Sequence, residues 1–152
     1  MKLGFVSAIL DGWTFEGMVD TAAEMGYQCV EVACWPAGKA ERRYAGVSHI
    51  DVDALDDERV NYIHSYLKER GVEISALAYY PNTLDGEPGK RAAAVEHLKK
   101  VIRASHRLGV NLVTTLHRPR PDQDRGGEPR SHVPGLAAHP QVGRGTGRAR
   151  SH

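Results

Sequence analysis

Over the first 116 residues the chain switches three times from a helical apolar period to a short apolar run, each time through a glycine. The unit is Glu24-Met25-Gly26-Tyr27 leading into residues 28–34, Glu69-Arg70-Gly71-Val72 leading into residues 73–80, and Arg107-Leu108-Gly109-Val110 leading into residues 111–115. Each glycine stands where a helix end favours a left-handed residue. The preceding stretches carry apolar residues at helical spacing and predict three helices: α1 through Met18, Ala22 and Met25, α2 through Val60, Ile63 and Leu67, and α3 through Val95, Leu98, Ile102 and Ser105. An apolar run at residues 3–9 comes first. With strands β1 (3–9), β2 (28–34), β3 (73–80) and β4 (111–115), the predicted order is β1-α1-β2-α2-β3-α3-β4.

Such alternation predicts an α/β fold with parallel strands, because parallel neighbours need a long crossover and the helices supply it. Two architectures use it, the open doubly wound sheet and the eightfold (β/α) barrel, which takes about 250 residues. The turn after β1 reads Leu10-Asp11-Gly12-Trp13-Thr14 and lacks a Gly-x-Gly-x-x-Gly phosphate loop, which weakens a nucleotide-binding open sheet.

Composition divides the chain near Leu116. Residues 1–116 carry a net charge of −3 and hold every Ile, Phe, Tyr, Trp, Met, Cys and Lys, whereas residues 117–152 carry +4, with 7 Arg, 6 Gly and 5 Pro. The second part is too poor in apolar side chains to offset its ordering entropy, so residues 117–152 are expected to be a disordered Arg/Gly/Pro-rich tail behind a folded part of residues 1–116. No signal peptide or membrane span is legible, and the expected location is the cytoplasm. Cys29 and Cys34, five apart on one strand, face opposite sides and read as ordinary thiols.

In either architecture, chemistry belongs at the carboxyl ends of the strands. Those ends offer Ser7, Glu31, Trp35, Tyr79, Tyr80, Asn82, Thr114 and Thr115. Aromatic rings beside hydroxyl, amide and carboxylate groups suit a sugar, whose C–H face stacks while its hydroxyls need partners. The candidate substrate-binding residues are Glu31, Trp35, His49, Tyr80 and Asn82. Four of them have a structural alternative: a bond from Glu31 to a neighbouring strand, rim packing for Trp35, a turn role for Asn82 after Pro81, and a loop role for His49. His64, His97 and His106 read as surface or boundary residues on helices. No cluster has metal-ligand spacing, and no nucleophile with its base can be argued.

Taken in order, Leu3-Gly4-Phe5-Val6-Ser7, Met25-Gly26-Tyr27-Gln28-Cys29-Val30-Glu31-Val32, Ala45-Gly46-Val47-Ser48-His49-Ile50-Asp51, Ile74-Ser75-Ala76-Leu77-Ala78-Tyr79-Tyr80-Pro81-Asn82 and Leu108-Gly109-Val110-Asn111-Leu112-Val113-Thr114-Thr115 resemble the sugar phosphate isomerase/epimerase family of xylose isomerase-like TIM barrels. The resemblance implies the amino-terminal half of a (β/α)8 barrel. It also implies a divalent-metal enzyme, using Mn, Co, Mg or Zn, that moves a proton next to the carbonyl of a sugar or polyol. In that family a Glu-Asp-His-Glu set on later strands holds the metal, beyond the stretch that matches here. No catalytic or metal residue is therefore assigned to this chain, and little turnover is expected of it alone. A related zinc-dependent apurinic-site endonuclease would want a basic groove, whereas the folded part is net acidic. A half barrel would also expose strand edges and an apolar interior, and is expected either to pair with another copy or to aggregate.

From Leu116 onward the residues are those of GC-rich codons. Read from the second base of each codon, positions 117, 123 and 128 admit Ile or Thr, Lys or Arg, and Asn or Ser, as a continuing barrel would carry. The tail is accordingly expected to be frameshifted, which a nucleotide read across this region checks. Read instead as a real segment, Gly143-Arg144-Gly145-Thr146-Gly147-Arg148 is a basic stretch that could meet phosphates, but it lacks interleaved aromatics for base stacking, so nucleic acid is a weaker expectation.

Overall fold

The computed structural model describes residues 1–38 and 46–116. Its elements are β1 (Gly4–Val6), α1 (Phe15–Glu24), β2 (Cys29–Ala33), α2 (Asp57–Arg70), β3 (Glu73–Ala78), α3 (Pro88–Arg107) and β4 (Val113–Thr114), with a 3-10 turn at Ser7–Ile9. Everything expected of residues 117–152 lies outside the described residues.

Local sequence accounts for the helix ends. The Thr14 hydroxyl accepts from the Gly17 amide at 3.1 Å to open α1, and the Asp56 carboxylate accepts from the Arg59 amide at 2.7 Å to open α2. Asp57 and Glu58 lie in the first turn of α2 and Lys68 and Arg70 in its last, each sign placed to complement the helix dipole. Pro88 begins α3, where its missing N–H costs nothing. The three repeat glycines take left-handed φ angles of 77°, 65° and 65° at Gly26, Gly71 and Gly109, as the sequence predicts.

All three strand pairings are parallel, and the sheet order is β1-β2-β3-β4. Val30, Val32 and Leu77 are fully buried and pack with Met18, Ile63, Leu67 and Val101 from the helices. The register shifts between Val30 and Glu31: Val30 pairs with Ile74, but Glu31 pairs with Ala76. The extra residue, Ser75, re-phases β3 so that Ile74 and Leu77 both reach the helix layer. Glu31 alternates with Val30 and Val32 and stands on the opposite sheet face.

Several expectations change. Residues 7–9, expected as strand, form a 3-10 turn because the Ser7 carbonyl accepts from the Leu10 amide at 2.9 Å and the Ser7 hydroxyl is drawn into the core. β3 ends at Ala78, although the Tyr79 amide still donates to the Thr114 carbonyl at 2.9 Å, and β4 keeps only two paired residues. The buried face of α3 is shifted from the predicted one, although Ser105 is buried and Leu98 packs on the core as predicted. Ala94, His97, Val101 and Ala104 face inward, while Ile102 is 51% exposed. His97 is thus a core residue and not a surface one, and its Nε2 meets the Cys34 carbonyl at 2.9 Å. Met25, predicted on the inner face of α1, is exposed beyond the helix end.

α1 and α2 are joined by polar contacts around Asp20. The Tyr66 hydroxyl and Arg70 Nε both donate to its carboxylate at 2.9 Å, and the Arg70 guanidinium lies 3.8 Å from the centroid of the Tyr66 ring. These donors hold the Asp20 carboxyl below its usual range.

Candidate functional site

Three side chains from consecutive strands meet at the carboxyl end of the sheet. Glu31 is on β2, Tyr80 lies two residues past β3, and Thr114 closes β4. Tyr80 Oη donates to Glu31 Oε1, and Thr114 Oγ1 donates to the same oxygen at 2.8 Å. The two hydroxyls are 3.4 Å apart. All three residues are half-buried. Two of the predicted site residues, Glu31 and Tyr80, are therefore brought into contact. Thr114 joins them because Ala78 pairs with Thr114 while Ala33 pairs with Ala78, a register that sequence spacing alone does not reveal.

Trp35, expected at the substrate, is buried at 7% exposure. Its ring sits edge-on to Tyr79 at 5.8 Å and to Tyr80 at 5.4 Å. Burial leaves it little free face for stacking on a ligand, and its contact is with the Tyr80 ring. Asn82 serves the following turn: its Oδ1 accepts from the Leu84 amide at 3.1 Å and its carbonyl from the Asp85 amide at 3.2 Å.

His49, expected as a pocket donor, uses both ring nitrogens within the protein. Nε2 faces the Leu10 carbonyl at 3.2 Å and Nδ1 faces the Ser7 hydroxyl at 3.1 Å. A carbonyl only accepts, so Nε2 carries the proton and Nδ1 accepts from Ser7. Ser7 Oγ in turn accepts from the Ala33 amide at 2.9 Å. With Ser7 fully buried, this serine and histidine form a strut between β1, β2 and the loop before α2, and not a nucleophile with its base.

Burial lowers the His49 pKa below its ordinary 6.5, against the raising influence of the Leu10 carbonyl and Asp11. The unfolded chain then binds a proton more readily than the folded one. The stability this group contributes is complete above about pH 6.5 and falls as the pH drops toward the lowered folded value. The melting temperature should therefore decline on acidification through that window, more steeply than in His49→Gln; parallel pH profiles for the two proteins would contradict this assignment.

Beside the strut, a cavity of about 900 Å³ opens between the turn after β1 and the amino-terminal turns of α1 and α2. Asp11, Trp13, Glu16, Asp51 and Arg59 line it, with His49 in its wall. It lies against the helix layer, whereas Glu31 lies on the other sheet face. Buried elsewhere, Cys34 has its thiol pushed up to about 12 by desolvation, which makes it a packing residue.

Among the described residues no group of three or more His, Cys, Asp or Glu side chains could hold a metal ion. Among the described residues Glu31 has hydroxyl neighbours and belongs to no such group, so these residues do not fit the divalent metal that the family resemblance implies. What the cluster offers chemically is an oriented carboxylate beside two hydroxyls, a set that binds donor groups.

Four parallel strands in sequential order with helical crossovers match a known barrel. The family model for the xylose isomerase-like TIM barrel matches residues 19–141, more than half of the chain. The chain belongs to the xylose isomerase-like TIM barrel family. The matched span runs past Leu116 into the arginine-rich part. Among solved structures, the crystal structure of D-psicose 3-epimerase in the presence of D-fructose is similar, with a TM-score of 0.52 at 16% sequence identity. The similarity covers 76% of this chain and 37% of that one, so this chain spans well under half of the neighbour's length. A search of curated proteins finds no match. The family membership and this likeness make the sheet a TIM-barrel fragment.

Proposed function

We propose that this chain carries the early-strand, substrate-contacting part of a sugar isomerase or epimerase. The observation that carries the reading is the Glu31–Tyr80–Thr114 cluster at the carboxyl ends of three adjacent strands of a xylose isomerase-like fragment. Its acceptor and hydroxyl groups suit a polyol, and the neighbouring epimerase structure was obtained with D-fructose. In this reading Glu31 and Tyr80 touch the sugar, Trp35 backs the Tyr80 ring, Asn82 holds the turn that follows, and His49 supports the strand ends through the Ser7 strut on the other side of the sheet.

The divalent metal, Mn, Co, Mg or Zn, belongs in this proposal to the later strands of an intact barrel, and no step is assigned to it here. Residues 117–152 are proposed to be an out-of-frame continuation of that barrel, and a gene sequence with no barrel-like alternative frame would contradict this. The outer strands β1 and β4 each pair on one side only among the described residues, and Leu3 and Leu112 beside them are 63% and 54% exposed. These edges support pairing with a second copy. No described helix is long and apolar enough to cross a membrane, and the cytoplasm is proposed as the location. The acidic folded part disfavours the endonuclease alternative, and a nucleic-acid role for the tail is the weaker proposal.

Ligand-observed NMR on the full chain tests the reading. D-fructose should bind, and alanine at both Glu31 and Tyr80 should abolish the signal. A chain that ignores D-fructose and related ketoses would refute it.

A further inference from the structure

Two donors converge on one oxygen of Glu31, and this determines what its other oxygen can do. Tyr80 Oη and Thr114 Oγ1 both donate to Oε1, which fixes the plane of the carboxylate. The donors are themselves held. The edge of Trp35 packs 5.4 Å from the Tyr80 ring, and Thr114 is fixed by the pairing of Ala78 with Thr114. A carboxylate has about four acceptor positions over its two oxygens. Among the described residues both donors go to Oε1, and Glu31 is half-buried with Oε2 not shut away as a buried unpaired atom, so Oε2 stays open to solvent and to a ligand.

We infer that Glu31 Oε2 accepts a hydrogen bond from one hydroxyl of a polyol ligand, with Tyr80 and Thr114 as the positioning residues that aim it. The inference rests on the sugar-binding reading above and adds to it the group that is recognised. An ionised carboxylate only accepts, so the matching ligand group must donate. A hydroxyl satisfies Oε2, whereas a ring ether, a carbonyl or a deoxy carbon leaves it unpaired. A phosphate brought to the same oxygen would meet like charge, so the phosphate of a sugar phosphate is excluded from this end of the site. Selectivity from a missing hydroxyl is characteristic of sites built around such an acceptor, because the unpaired group remains desolvated when the wrong ligand binds.

The full chain is titrated with D-fructose and with forms lacking one hydroxyl each, with binding read by ligand-observed NMR. One deoxy form should bind about tenfold more weakly than D-fructose, the loss expected for a hydrogen bond to a charged group. Glu31→Gln should bind D-fructose as weakly as the native chain binds that deoxy form, and should no longer distinguish the two. Thr114→Val should lose part of the discrimination and Thr114→Ser should restore it, with circular dichroism confirming that each variant is folded. If Glu31→Gln does not fold, the Thr114 pair decides the matter: Val indistinguishable from native overturns the inference. Native binding of D-fructose with every deoxy form equal, or discrimination unchanged in Glu31→Gln, overturns the inference and leaves the sugar-binding reading intact. No binding of any ketose by the native chain overturns that reading, and this inference with it.

Discussion

Alanine at Gly4 should cost about 3 kcal/mol of stability and loosen the first strand from the sheet, the upper end of what overpacking costs. β1 and β2 approach so closely at the Gly4–Cys29 pair that a methyl group on Gly4 would lie 2.2 Å from the Cys29 carbonyl oxygen and 2.6 Å from its sulfur. The oxygen belongs to backbone paired on both sides, so it cannot yield without moving the sheet. β1 has one neighbour among the described residues and is the strand free to shift. Its movement would break the bond from the Gln28 amide to the Leu3 carbonyl, now 2.9 Å, and amide exchange at Gln28 should accelerate. Gly17 supplies the control. Inside α1 its added methyl would meet the Thr14 hydroxyl at 3.4 Å and the Trp13 ring at 3.6 Å, nearly ordinary contacts, and the better helix propensity of alanine should raise stability by roughly 0.5 kcal/mol. Equal effects at the two glycines would show that the close strand contact does not exist.

Ser7→Ala should be nearly as damaging, at about 2–4 kcal/mol, since it leaves two buried polar groups unpaired at once. The Ala33 amide loses its acceptor and His49 Nδ1 loses its donor, in a site where Ser7 is fully buried and His49 is 5% exposed. Chemical denaturation of the single variants and of Ser7→Ala with His49→Phe measures the coupling. The double variant should cost less than the sum of the singles, because the histidine's unpaired nitrogen is removed with it. Strict additivity, or a loss below about 1 kcal/mol for Ser7→Ala, would mean that the strut carries no load.

The helix order was legible because it depends on local chemistry. A left-handed glycine after each helix and an apolar run beyond it are short-range signals, and they located all three crossovers. The short apolar run at residues 7–9 misleads for the same reason: its composition is that of a strand, and it turns only because the Ser7 hydroxyl is needed 26 positions away at Ala33. The phase of α3 was partly readable. Ala94, His97, Val101 and Ala104 repeat at helical spacing as regularly as Val95, Leu98 and Ile102 do, but histidine at an inward position hides the pattern until its bond to the Cys34 carbonyl is seen. Glu31 and Tyr80 could be suspected from their places at strand ends. Thr114 could not be tied to them, since 83 positions separate it from Glu31 and only the combined register of three strands, with the bulge at Ser75, closes that distance. Trp35 reads in sequence as a substrate contact or as rim packing, and exposure, which would decide between them, is not written there. In the fold it lies beneath Tyr80.

The most direct test of the account is the isomerisation and 3-epimerisation of D-fructose by the full chain with Mn²⁺, Co²⁺, Mg²⁺ or Zn²⁺ added in turn. The described residues contain no group able to cage a metal, and the family chemistry is proposed to need one from later strands. The account predicts a folded chain that binds the ketose and turns over none of it with any of the four ions. Rapid metal-dependent turnover would contradict it, by showing that a complete catalytic centre already exists in these 152 residues.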